Sequence, residues 1–204
     1  TDEGYQGKGQ FLFTMLGDSG NHGTEMDSKT GDNLDSQPRS HPQFYGMTIF
    51  GGGSAGRTGG LMRLREGTGG KFGNLMLMNP TDVGVRIDKC GSESIVQDMS
   101  LLGANPSIGS AADGASSGYL YFSKKNIISG ILSTGSAFSV GSTCPASVTS
   151  FTAVQTDPLL LSAHNKWNMF DVGATIPLDR RRSLSPTIPL DPRPVCGGSA
   201  FEDV

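Results

Sequence analysis

Short strand-like segments opened by glycine recur along this 204-residue chain, and this repetition constrains the fold more than any other feature. They are residues 23–27, 60–64 and 84–88. Gly60 and Gly84 lie 24 residues apart, and Gly23 precedes Gly60 by 37 residues, a similar step with a polar insertion. Repeats of 20 to 50 residues are typical of solenoids, in which each unit buries its apolar face against the next. The spacing predicts stacked coils of three short strands.

Apolar segments bounded by Gly, Asn or Pro continue to about residue 155, as short strands between turns would require. An antiparallel sandwich also consists of short strands, but it favours two-residue Asn-Gly or Asp-Gly hairpins. The chain has one such pair, Asp113-Gly114, inside a loop-like stretch. We therefore predict an all-β fold, a right-handed parallel β-helix of five or six coils over residues 1–155. Residues 17–42 form a polar side-loop insertion in this prediction.

Proline becomes frequent after residue 155, and the sequence Thr-Ile-Pro-Leu-Asp occurs at both 175–179 and 187–191. Proline has no backbone N–H and is excluded from the interior of a sheet. Residues 156–204 are thus predicted to be an extended Pro-rich tail that packs on the helix or extends beyond it.

The charge balance excludes several classes of partner. The formal net charge is −3, so no basic surface for nucleic acid is expected. No apolar run approaches the 18 or so residues of a membrane-spanning helix. We therefore expect neither a nucleic-acid partner nor membrane insertion.

Several motifs occur in the order found in one known family. The sequence resembles the exported, pectate-lyase-like right-handed β-helix repeat proteins of marine bacteria, in their C-terminal portion. The resemblance is good over roughly residues 4–102 and loose over residues 120–204. The segments that carry it are 5–13, 23–27, 35–42, 61–68, 84–88 and 156–160. It implies a β-helix and an extracellular or cell-surface location, and it implies no particular chemistry.

The most distinctive polar motif is Pro-Arg-Ser-His-Pro at residues 38–42. As a catalytic pair, Arg39 would bind a substrate carboxylate and His41 would act as general base. The alternative is an ordered corner between coils, with Arg39 donating hydrogen bonds to carbonyls. We favour the corner, because a lone Arg/His pair lacks a third catalytic partner.

Arg63, Arg65 and Arg86 fall on strands that the repeat places on adjacent coils. On an outer face they would form either a binding stripe for an acidic glycan or, as we favour, a ladder of alternating salt bridges.

The insertion is acidic, and calcium needs six to eight converging oxygen ligands. Candidate ligands are Asp18, Glu25, Asp27, Asp32 and Asp35. The spacing does not follow the EF-hand pattern, so a solvated, turn-rich loop is the favoured interpretation. No other cofactor is expected.

Three cysteines, Cys90, Cys144 and Cys196, leave at least one thiol without a partner in the chain. Buried reduced thiols are the simplest interpretation. The alternative is one disulfide, Cys144 to Cys196, that pins the tail.

Two functional hypotheses follow. The first is a non-catalytic, secreted or surface structural protein that acts by self-association or adhesion, with copies of itself or further segments of a longer protein covering its coil ends. The second is a polysaccharide-binding module, or a lyase or hydrolase, that acts on acidic glycans.

Overall fold

The computed structural model describes residues 2–16, 20–29, 31, 33–51, 59–80, 82–98, 117–123, 126–129, 136–146, 148 and 153–154. The described residues form fourteen strands. In chain order these are β1 Lys8–Gln10, β2 Phe13–Met15, β3 Thr24–Asp27, β4 Gln43–Tyr45, β5 Thr48–Phe50, β6 Met62–Arg65, β7 Gly70–Gly73, β8 Met76–Met78, β9 Val83–Asp88, β10 Ile95–Asp98, β11 Tyr119–Phe122, β12 Asn126–Ser129, β13 Ser136–Val140 and β14 Ala153–Val154.

The strands form three parallel sheets and, apart from β10, the chain visits each sheet once per coil. Sheet A has the order β1-β4-β7-β11-β10, sheet B the order β14-β12-β8-β5-β2, and sheet C the order β13-β9-β6-β3. Coils 1 to 4 are β1–β3, β4–β6, β7–β9 and β11–β13, and β14 lies in the position of a fifth coil. The predicted parallel β-helix is confirmed.

The core runs through the middle of the coils. Because side chains alternate across a strand, every second residue points inward. Ile49, Leu77 and Ile128 are paired by register on successive coils of sheet B and are fully buried. On sheet A, the rings of Phe72 and Phe122 stack with centroids 5.3 Å apart. Stacking like residues in rows lets each coil cover its neighbour's apolar side.

The predicted alignment of the three recurring segments is wrong, because the middle segment, residues 60–64, is shifted by one residue. In sheet C, Met26 pairs with Leu64, and Leu64 pairs with Ile87, so the steps are 38 and 23 residues instead of 37 and 24. These three side chains are at most 2% exposed. A shift of one residue would turn Arg63 inward, since a strand has a side-chain period of two.

One strand of sheet A is out of chain order. β10 follows β9 directly, yet it pairs with β11, and β11 lies between β10 and β7. Residues 95–98 therefore occupy the fifth position of sheet A, beyond a strand that comes later in the chain.

The corner between sheets A and B repeats a left-handed backbone conformation. Phe11, Gly46 and Asn74 directly follow β1, β4 and β7, with φ of 55°, 65° and 53°. Glycine and asparagine are common in this region, whereas a bulky residue is strained there. Phe11 is the exception among the three.

Both interpretations of the cysteines are wrong, because Cys144 is bonded to Cys90: these two thiols are not reduced, and the alternative bond from Cys144 to Cys196 does not form. Cys90 follows β9 closely and Cys144 follows β13, and these two strands are neighbours in sheet C. Stacking thus brings the two Cα atoms to 4.8 Å, although 54 residues separate them in sequence. Cys196 lies outside the described residues.

The predicted tail, residues 156–204, also lies outside the described residues, as do positions 17–19, 30 and 32 of the polar insertion. In the part of the chain that the structure describes, no helix has the length and apolar character to span a membrane.

Candidate functional site

The outer face of sheet C carries two rows of charged side chains. Glu25, Arg63 and Arg86 occupy one row on coils 1, 2 and 3. Asp27, Arg65 and Asp88 occupy the other, two residues further along each strand. These positions alternate with the buried inward residues, so the strand pattern aims them all at the same outer surface.

Arg63 joins the two rows. Its Nη1 lies 3.2 Å from Oε1 of Glu25, and its Nη2 lies 3.0 Å from Oδ2 of Asp88. The same Asp88 oxygen accepts a hydrogen bond from Nε of Arg86 at 3.0 Å. One carboxylate on coil 3 thus binds arginines from coils 2 and 3.

Arg65 binds Asp27 through two parallel hydrogen bonds, Nε to Oδ1 at 2.7 Å and Nη2 to Oδ2 at 2.8 Å. Its Nε also lies 3.0 Å from Oε1 of Glu25. The hydrogen bonds to Asp27 raise the pKa of Arg65, and the charges of Asp27, Glu25 and Glu66 act in the same direction. The guanidinium is a permanent cation in this fork.

The three arginines considered as glycan-binding candidates thus lie on one face, and each holds a carboxylate there. This is the alternating ladder that we favoured from sequence. Of the calcium candidates, Glu25 and Asp27 hold arginines, Asp35 lies elsewhere, and Asp18 and Asp32 lie outside the described residues. Over the described ranges, no three His, Cys, Asp or Glu side chains form a group that could hold a metal ion.

Sequence reasoning missed His22, which lies at the edge of this face. Its Nδ1 is 3.0 Å from the carbonyl oxygen of Gly60, and its Nε2 is 3.9 Å from Oε1 of Glu25 and 3.4 Å from Nη1 of Arg63. Its position could have identified it from sequence, because His22 directly precedes Gly23 and lies three residues before Glu25.

The second predicted pair, Arg39 and His41, lies at the corner between sheets C and A. The Arg39 side chain is fully buried. Its Nη1 donates to the carbonyl oxygens of Leu34, at 3.3 Å, and Gly67. Its Nη2 donates to Oδ1 of Asp35 at 3.0 Å and to Oε2 of Glu93 at 2.9 Å. The arrangement has the geometry of the ordered corner predicted from sequence.

Arg39 connects three successive corners of the β-helix. Leu34 and Asp35 belong to the corner that follows β3, Gly67 to the corner that follows β6, and Glu93 to the corner that follows β9. A single guanidinium therefore holds the corners of coils 1, 2 and 3 together.

Asp35 strengthens the same junction. Its carboxylate accepts hydrogen bonds from the backbone N–H and hydroxyl of Ser92, at 2.8 and 2.6 Å, and from the N–H of Glu93 at 3.3 Å. Burial alone would raise the pKa of Asp35, but the hydrogen bonds from Ser92 and Arg39 outweigh it and lower the pKa. Asp35 is thus a structural anion at this corner.

His41 is fully buried beside Arg39. Its backbone N–H donates to the carbonyl oxygen of Tyr5 at 2.8 Å, and its Nε2 lies 3.5 Å from Oγ of Ser117. Burial lowers the pKa of His41 to about 4, and the positive charges of Lys71 and Arg39 act in the same direction. The ring is therefore neutral at pH 7.

This pKa predicts a loss of stability in mild acid. The unfolded chain binds a proton at His41 near pH 6.5, whereas the folded protein binds it near pH 4, so stability falls as the pH decreases between these values. The loss reaches about 3 kcal/mol at pH 4. Urea unfolding of the wild type and of His41→Gln at several pH values would measure it. A wild type and variant with equal slopes from pH 6.5 to 4 would contradict the assignment.

A known family matches most of the chain. The model of a family described as "Pectate-lyase like beta helix domain" matches residues 1–143. No curated protein matches, and no solved structure matches.

Proposed function

The chain belongs to the pectate-lyase-like β-helix family, and from this premise we propose that it is a non-catalytic structural module that acts outside the cell and self-associates through its first coil. Membership of this family implies a rigid stack of coils. The proposed function depends on which surface of that stack binds a partner.

The charged groups of this chain favour a structural role. Arg63 and Arg65 bind carboxylates of neighbouring coils, and Arg86 binds Asp88 of its own strand. Arg39 is enclosed by the corners that it connects. Ladders of opposite charge on adjacent strands stabilise a sheet and keep its outer face hydrated. In this proposal these residues hold the stack together.

The surface proposed for self-association is the edge of the first coil that faces away from coil 2. Within the described residues, β1, β2 and β3 each pair with a strand of coil 2 on one side. Their other sides carry backbone N–H and C=O groups that can pair with a further strand. Two copies related by a two-fold axis would join these edges in a closed dimer.

Exposed aromatic side chains beside this edge are the observation that carries the proposal. Tyr5, Phe11 and Phe13 are 40%, 87% and 41% exposed; Phe11 and Phe13 belong to the first coil, and Tyr5 precedes its first strand. Phe11 also has a left-handed backbone, where the next coils have Gly46 and Asn74. A strained, exposed aromatic residue indicates selection for contact, and aromatic anchors dominate the energetics of protein interfaces.

We expect the sedimentation coefficient of the wild type to increase with concentration as the dimer forms. Replacing Phe11 and Phe13 by serine removes both anchors and should weaken dimerisation by about tenfold or more. Lys71→Ser, a change on the outer face of sheet A in coil 3, is the matched control and should leave dimerisation unchanged. A wild type that sediments as a monomer at all concentrations, or equal losses in both variants, would contradict self-association.

A second candidate function is the binding or cleavage of acidic polysaccharide at the outer face of sheet C. The contact of His22 with Glu25 beside Arg63 favours it, because a histidine, a carboxylate and an arginine can bind and deprotonate a uronic acid. The test is incubation with uronic-acid polysaccharides, with and without calcium. Formation of unsaturated chain ends by the wild type and its loss in Arg63→Met would support the enzyme and exclude a purely structural role.

A further inference from the structure

A two-fold dimer that joins two first coils has three arrangements to choose from. Each coil has three sides, which belong to sheets A, B and C. An axis that places one first coil on the other passes through the middle of one side and through the opposite corner. The sheet on the axis then meets its own copy, and the other two sheets meet each other. The facing strands are antiparallel, because the rotation reverses the direction of one chain.

The three edge strands differ in chemistry. Gly9, Thr14 and Met26 pair with buried inward residues of coil 2, so the residues on either side of them point outward. These outward side chains are Lys8 and Gln10 on β1, Phe13 and Met15 on β2, and Glu25 and Asp27 on β3. The edge of the first coil is therefore cationic on sheet A, apolar on sheet B and anionic on sheet C.

The charges on sheets A and C are complementary. Lys8 is exposed, and within the described ranges it takes part in no ion pair. Glu25 binds Arg63 and Arg65 of coil 2, yet its side chain is 36% exposed at the edge. A carboxylate accepts about four hydrogen bonds, so Glu25 can bind a further cation. Side chains that face each other on paired strands are about 4.5–5.5 Å apart at Cβ, which a lysine spans easily.

This pattern of charge distinguishes the three arrangements. An axis through sheet A sets Lys8 against Lys8 of the other copy and lays Phe13 on the carboxylates of sheet C. An axis through sheet C sets Glu25 and Asp27 against the same two carboxylates. Like charges on facing strands destabilise a sheet. An axis through sheet B avoids both conflicts, because sheet A then meets sheet C twice, with Lys8 facing carboxylates each time.

We infer that the dimer axis passes through sheet B, so that β2 pairs with its own copy and β1 pairs with β3 of the other copy. This inference rests on the proposed self-association. With the axis at Thr14, the middle residue of β2, Phe13 faces Met15 of the other copy, and aromatic rings and methionine sulfur attract each other. The ring of Phe13 already lies 5.6 Å from that of Phe50. The two copies thus form one continuous apolar surface across sheet B.

Reversal of single charges in the full-length protein tests this arrangement by analytical ultracentrifugation. Lys8→Glu should raise the dimer Kd by about tenfold, because two attractive contacts become repulsive. Glu25→Lys should weaken the dimer for the same reason. An equimolar mixture of the two variants should dimerise as tightly as the wild type, since both contacts then join opposite charges again. A mixture that dimerises as weakly as its components would overturn the inference.

A mixture of Lys8→Glu with the wild type requires no change at Glu25, which holds two arginines of the fold. The mixed dimer has one attractive and one repulsive contact, so its Kd should lie between those of the two homodimers. A mixed dimer tighter than that of the wild type would overturn the inference, because Lys8 would then face Lys8.

Lys71→Glu is the matched control, since Lys71 lies in the same outward row as Lys8, two coils from the edge. It makes the same change of charge and should leave the Kd unchanged. If the wild type dimerises and Lys8→Glu dimerises equally well, the axis through sheet B is wrong while self-association stands. A wild type that stays monomeric overturns self-association and the axis together.

Discussion

Replacing Arg39 by methionine is expected to lower the free energy of unfolding by about 3–5 kcal/mol, since removing one partner of a buried ion pair leaves the others uncompensated. The side chain is fully buried and holds two carbonyls and two carboxylates. Methionine fills much of the same space but donates no hydrogen bond. The carbonyls of Leu34 and Gly67 would lose these bonds, and the corners of three coils would separate. Urea unfolding followed by circular dichroism measures the loss.

The control is Arg63→Met, which removes an arginine that is also held by two carboxylates. Arg63 is partly exposed, and exposed ion pairs contribute up to about 1 kcal/mol. The two variants thus compare the same chemical change at a buried and at a surface site. A similar loss in both would show that Arg39 is one more ladder residue and does not connect the corners.

Removing the disulfide is expected to lower the free energy of unfolding by about 4 kcal/mol, from the chain entropy of a closed loop of this length. Cys90 and Cys144 are 54 residues apart, so the bond restricts a large part of the unfolded chain. Cys144→Ser should show this loss in urea unfolding without reductant. Reduced wild type should unfold at the same urea concentration as the variant.

Cys196→Ser is the matched control, because it removes the cysteine that takes no part in the bond between Cys90 and Cys144. Its stability should equal that of the wild type in the absence of reductant. Peptide mapping that found Cys196 bonded to Cys144 would contradict the structure and restore the pairing predicted from sequence.

The fold could be predicted because a solenoid repeats its local pattern. Met26, Leu64 and Ile87 recur at near-constant steps, and each coil contacts mainly its neighbours. The register could not be predicted so well. Aligning Gly60 with Gly84 gives the wrong register. The buried side chains determine the pairing, and they place Gly84 opposite Leu61.

The charged ladder was accessible to the same reasoning, since Arg63, Arg65 and Arg86 lie within the repeat. The hydrogen bonds of Arg39 to carbonyls were predicted as well, but its ion pair with Glu93 was not, because Glu93 is 54 residues away in the corresponding corner of coil 3. The disulfide was predicted wrongly for a similar reason. Cys90 and Cys144 each follow a strand of sheet C, but the long segment between β9 and β13 conceals that these strands are neighbours.

The position of β10 has a consequence for the order in which this chain can fold during synthesis. Residues 95–98 leave the ribosome before residues 119–122, yet β11 separates β10 from β7 in the finished sheet. Elsewhere in a solenoid each new strand adds to the open side of the previous coil. Here coils 1 to 3 can assemble as they are translated, whereas β10 has to wait for a strand that has not yet been made. Sheet A of the fourth coil therefore forms by insertion of β11 between β7 and β10, whereas sheets B and C add their strands in chain order.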